Sequence, residues 1–248
     1  MVTPEAASGA DLPTSAEPSG DVPDAGGFDR GAAVTRSMLG WGVVAGPFYL
    51  IFGLILAFTR PGFDLGQHAL SLLLLGDAGW LQGIDLVLSG AMVVVAAFGL
   101  ARTPAASRAG AVLIGVYGLC LVLSAIFPPD AVAGFPPGSA GGSGSASGIL
   151  HLAFGGIGFL CLGIAGFVLG AWFARRGARG TAWAARLGGT VVILGFAGGA
   201  ALSPGPVGIA LLWLAVVVGW ALLAFVSVAA YRAVPHPLLA QRPATTPA

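Results

Sequence analysis

Six stretches of this chain are apolar for long enough to cross a bilayer, and no other feature restricts its fold as strongly. They run over 39–59, 80–100, 109–127, 148–173, 183–202 and 207–231, each sufficient for the ~30 Å hydrocarbon layer at ~1.5 Å per residue. The fifth is the weakest, because Arg186 leaves only 187–202 free of charge. An arginine one turn inside a helix end can still reach the headgroups along its stem, so the span stands. None of the runs alternates with the period of a barrel strand, and in lipid the remaining choice is the helix. Composition agrees: 8% of residues are charged, against roughly a quarter in a soluble domain. The expected fold is all-α, a polytopic membrane bundle of six helices.

Three regions follow. Residues 1–38 form a tail rich in Pro, Gly and Ala that carries Glu5, Asp11, Glu17, Asp21, Asp24 and Asp29. It has no apolar core to bury and no basic start before a hydrophobic run, so it reads as disordered and not as a signal peptide. Residues 39–231 hold the spans, and 232–248, with four prolines, read as a flexible C-terminal tail. Cys120 and Cys161 lie inside separate spans and are expected to be free packing thiols. The lack of lysine and asparagine beside abundant Ala, Gly and Arg points to a GC-rich bacterial genome.

Arginine sets the expected orientation. Arg30, Arg36, Arg102, Arg108, Arg175, Arg176, Arg179, Arg186, Arg232 and Arg242 all fall on one side of a six-span chain, and only Arg60 on the other. By the positive-inside rule the arginine-rich side, with both termini, is cytoplasmic. The expected location is the cell membrane, as a multi-pass bacterial inner-membrane protein. Trp41, Trp172, Trp183 and Tyr231 near one boundary and Trp80 near the other suit an aromatic belt. Gly42 and Gly46, Gly166 and Gly170, Gly195 and Gly199 have the spacing that lets helices approach closely, more plausibly within one bundle than between copies. Pro47 is expected to bend the first span.

The polar residues gather opposite the arginines. The loop 60–82 contains Arg60, Asp64, His68, Ser71, Asp77 and Gln82. Asp64 followed by Gln67 resembles a capping box and Gly76 a stop, so 65–75 is expected to be a surface helix. On such a helix Asp64, His68, Ser71 and Leu75 share one stripe, and Leu70, Leu73 and Leu74 the opposite one. Asp77 is expected to cap the second span. Asp85 lies inside the second span, His151 a turn inside the fourth, and Asp130 in the intervening loop. An ionisable group within a span is a functional hypothesis by default. A compact bundle would let Asp64, His68, Ser71, Asp85, Asp130 and His151 share one shallow outward pocket, with Arg60 as counter-ion.

The pattern Arg60-Pro-Gly-Phe-Asp64, His68, Leu-Ser71, Gly76-Asp77, Gly-Trp80, Gln82, Gly90, Asp130, Gly-Phe-Pro-Pro137, Gly148 and His151 resembles the bacterial and archaeal membrane family catalogued as domain of unknown function nine hundred and ninety-eight. The resemblance covers about 39–231. It implies six helices and a multi-pass inner-membrane protein, and it carries no activity. Asp85 replaces an amide expected from the family pattern, and a Gln-Arg pair expected at the start of the last span is absent near 208–213.

Three classes of function compete. First is a multi-pass membrane protein whose outward pocket is structural or binds a partner, lipid or small molecule. Second is an outward hydrolase or transferase on lipid or cell-envelope precursors. There His68 or His151 would act as base, Asp85 or Asp64 would orient it, and Ser71 or a metal-bound water would be the nucleophile. Third is a transporter, which needs polar groups near the midplane and a route to both sides that the inner halves of these spans do not offer. No cofactor or metal is expected, since no His-x-x-x-His pair exists and only scattered ligands remain. Nucleic acid is not an expected partner. Phosphate-rich ligands are disfavoured by four aspartates against one arginine on the outward side.

Overall fold

The computed structural model describes residues 28–142 and 144–238. Among them are six α-helices and no strand: α1 (Arg30–Thr59), α2 (Gly79–Arg102), α3 (Arg108–Ile126), α4 (Ala146–Arg175), α5 (Arg179–Leu202) and α6 (Pro206–Ala233), with a 3₁₀ helix at Leu70–Leu74. All six α-helices are long and apolar enough to cross a membrane, so the chain is a multi-pass membrane protein. Large side chains such as Phe58, Phe98 and Leu194 point away from the bundle, as lipid rather than water would permit.

Consecutive helices pack side by side and α6 closes back on α1, which makes a ring of six. Small residues set the crossings. A Cβ on Gly90 would lie 2.6 Å from the Gly118 carbonyl, and one on Gly118 would lie 2.8 Å from that of Gly90, so α2 and α3 touch backbone to backbone. All three expected glycine pairs face other helices of this chain: Gly42 and Gly46 meet α6, Gly166 and Gly170 meet α5, Gly195 and Gly199 meet α6. Packing within one bundle therefore accounts for them. Cys120 and Cys161 are free thiols.

The helices reach further than hydropathy indicates. Residues 30–38, assigned to the tail from composition, are helical because Asp29 caps α1, its Oδ1 accepting from the Ala32 N–H at 2.9 Å. Residues 232–238, assigned to the flexible C-terminal tail, pack back on α1: Arg36 Nη1 donates to the Val234 carbonyl at 2.8 Å, and Asp29 N–H to that of Pro237 at 3.2 Å. The remainder of both expected tails, 1–27 and 239–248, lies outside the described residues. The two described ends thus meet at one end of the bundle, where nine arginines also gather, three of them over aromatic rings, including Arg36 on Tyr231 and Arg176 on Trp172. Arg186 extends over Trp183 at the same end.

Candidate functional site

The arginine-poor end is closed by two loops packed on each other, 60–78 and 127–142, with Pro137 against Gly62 and Pro136 against Gly76. The first does not form the surface helix that its spacing suggests. His68 Nδ1 accepts the Asp64 N–H at 2.9 Å, while Asp64 Oδ1 takes the Gly66 N–H at 2.7 Å and Oδ2 takes the Gln67 amide at 3.0 Å. These bonds, two of them side chain to backbone and one between side chains, close a single turn over 64–68. The chain then runs extended at Ala69, with ψ 145°, before the 3₁₀ turn. The expected stripe of Asp64, His68, Ser71 and Leu75 is therefore lost. Leu70, Leu72 and Leu73 are buried under the loop and Leu74 half-buried.

His68 is held between Phe63 and Phe135, with ring centroids at 5.3 and 5.1 Å, and the two phenylalanines meet edge to face at 5.3 Å. Phe135 is fully buried, so this three-ring cluster is the core of a cap joining both loops. Burial holds the His68 imidazole below its ordinary value, with the neighbouring Asp64 charge opposing. The Gly66 N–H, the Gln67 amide and lesser contacts hold Asp64 below the usual carboxylate range. Both groups are accordingly spent on shaping the cap.

Arg60 is not the expected counter-ion. Its Nη1 donates to the Leu75 carbonyl at 2.8 Å, and Nη2 is buried with no partner. Asp77 is exposed and does not cap α2, whose N-cap is Ala78 with no side-chain bond. Asp130 braces the start of α4, accepting from the Ser145 N–H at 3.3 Å, beside Ser145 as the N-cap. Asp85 is fully buried and bonded on its own helix: Gln82 Nε2 donates at 3.1 Å and Ser89 Oγ at 3.5 Å, the i−3 and i+4 neighbours. Gln82 Oε1 is left without a partner. His151 Nδ1 lies 3.1 Å from the Ser124 carbonyl and 2.8 Å from that of Phe127, which satisfies carbonyls that the end of α3 leaves orphaned. The nine candidates thus do not share one pocket. Eight of them divide into the cap, the Asp85 cluster, the α4 brace and the α3–α4 tie, Asp77 stands apart, and His68, Asp85 and His151 share no hydrogen bond. Among the described residues no three His, Cys, Asp or Glu side chains gather as a metal site requires.

Two candidates do line a common space. A cavity of about 300 Å³ sits beneath the cap, with Ala69, Leu70 and Ser71 against it from above and His151 at its side. Trp213 also lines it and ties the roof to α6, its Nε1 donating to the Leu65 carbonyl at 3.0 Å. Deeper, the walls are Tyr49, Tyr117, Phe159, Phe196 and Trp220. Fourteen positions of α6 separate Pro206 from Trp220, so the floor is roughly 20 Å below the helix end. These aromatics were not singled out from sequence, although a signal existed. Tyrosine and tryptophan favour the headgroup level, yet Tyr49, Tyr117 and Trp220 stand mid-span.

A family model described as "Protein of unknown function (DUF998)" matches residues 43–229. No curated protein and no solved structure matches the chain.

Proposed function

We propose a binding role for this chain, which belongs to the DUF998 family. In our reading it resides in the cell membrane with both ends in the cytoplasm, because nine described arginines and both described ends share one end of the bundle. The cavity then lies in the outer half and holds an apolar small molecule or lipid chain. The carrying observation is the lining: aromatic and aliphatic walls, with Tyr49, Ser71, Tyr117, Ser124, His151 and Ser203 as polar groups and no arginine or carboxylate. The outward motif residues Arg60, Asp64, His68 and Phe135 support this site as its roof.

A hydrolase or transferase acting on lipid or envelope precursors is the second reading. It retains Ser71 and His151 at the cavity, but Asp64, His68 and Asp85 are engaged elsewhere. The binding reading is tested with protein in nanodiscs and a brominated alkane that quenches the cavity tryptophans Trp213 and Trp220. A Cβ at Gly155 would meet Phe196 at 3.5 Å, ordinary contact, so Gly155→Leu fills cavity space without a backbone clash. The expected result is a saturable quench that Gly155→Leu removes. Equal, non-saturating quenching in both proteins, as from probe dissolved in lipid, would refute it.

A further inference from the structure

We infer that the ligand of this cavity is a neutral molecule with one apolar body and a hydroxyl that donates to His151 Nε2; this rests on the cavity being a binding site. The argument begins with the ring of His151. Both partners of Nδ1 are carbonyl oxygens, of Phe127 at 2.8 Å and Ser124 at 3.1 Å, and a carbonyl can only accept. In the neutral imidazole the proton therefore sits on Nδ1. Nε2 is then an acceptor, on a residue that lines the cavity. Nε2 has no hydrogen-bond partner among the described residues, and a ligand that supplies a donor there gains a hydrogen bond.

Charge narrows the class. None of the lining residues is Arg, Asp or Glu, so a phosphate or carboxylate head would lose its hydration without gaining a counter-charge. A protonated amine would find no anion, and His151 Nε2 alone would not compensate its lost hydration. The arrangement of polar groups gives the ligand a direction. Ser71, Ser203, Ser124 and His151 lie toward the arginine-poor end, and His151 is five positions inside α4, or roughly 8 Å of helix. Beyond it the walls are aromatic down to Phe159 and Trp220, with the phenols of Tyr49 and Tyr117 among them. The His151 acceptor therefore draws a hydroxyl to the roof end, and the apolar body lies below among the rings. A volume of about 300 Å³ is at the low end for ligand cavities, which suits one chain or a compact ring system and not a two-tailed lipid.

The test displaces the brominated alkane from nanodisc-embedded protein with three competitors of equal chain length: an alkanol, its methyl ether, and the fatty acid at neutral pH. The alkanol should bind about five- to tenfold tighter than the ether, the worth of one neutral hydrogen bond, and the carboxylate should be weakest. In His151→Asn, whose amide N–H can still serve the Phe127 carbonyl, the preference for alkanol over ether should vanish. If ether and alkanol compete equally in the wild type, or the carboxylate is tightest, the hydroxyl assignment is wrong while the cavity remains a binding site. If no competitor displaces the probe, the binding reading itself fails.

Discussion

Replacing His68 with alanine should open the cap while leaving the helices in place. The side chain accepts one backbone N–H at 2.9 Å, worth about 1 kcal/mol net. It also contacts two rings at 5.3 and 5.1 Å, each pair contributing about 0.5–1.5 kcal/mol. Asp64 is exposed, so its released N–H can turn to water and adds no further penalty. Together these give about 2–4 kcal/mol for local opening, or about 30-fold to several hundredfold in the opening equilibrium. Hydrogen exchange of nanodisc-embedded protein reads this directly. The His68 N–H to the Asp64 carbonyl, and in the opposite loop the reciprocal Val132–Phe135 pair and the Gly134 N–H to the Ser139 carbonyl, are the reporters. Both loops should accelerate together, because the ring cluster joins them, and α1–α6 should not change. Acceleration confined to 60–78, or a change below about threefold in 130–142, would refute a shared cap.

Three further outcomes follow from the same geometry. Acidification should open the cap in the wild type: burial holds His68 below its ordinary 6.5, so the opened loop takes up the proton first and stability is lost as pH falls from 6.5 through the lowered value. Asp64, held below 3.8, adds a separate loss only as pH falls from there through its own lowered value, and exchange in His68→Ala should lack the upper window alone. Gly118→Leu should sharply reduce membrane abundance, because its Cβ would stand 2.8 Å from the Gly90 carbonyl and overpacking costs about 1–3 kcal/mol. Gly115→Leu, with Ala97 at 3.6 Å, should be tolerated, and equal loss in both would contradict the crossing. Trp213→Phe should speed loop exchange about fivefold by removing its bond to the Leu65 carbonyl, and unchanged exchange would detach α6 from the roof.

Hydropathy and arginine placement were enough to count and order the helices, because lipid leaves the backbone few alternatives. Helix ends were less accessible: Asp29 extends α1 through residues with no apolar signature. The cap departs from the expected surface helix for a local reason. Spacing of four places residues on one helix face only if the helix exists, and His68 and Asp64 use that spacing to bond the backbone instead. Asp85 has its partners Gln82 and Ser89 at helical spacing in the sequence, whereas a charge in a span suggests a counter-ion from another segment. The cavity is marked in the sequence only by mid-span tyrosine and tryptophan, which carry no charge pattern. Which helices enclose a space is a matter of three-dimensional packing that no single segment encodes.

The account is tested most directly by locating a bound chain. An alkanol bearing a diazirine near its tail, photolysed with the protein in nanodiscs and mapped by peptide mass spectrometry, should label Tyr117, Phe159 and Trp220 on the cavity floor. Labelling confined to lipid-facing side chains such as Phe58, Phe98 and Leu194, and unaffected by Gly155→Leu, would contradict it.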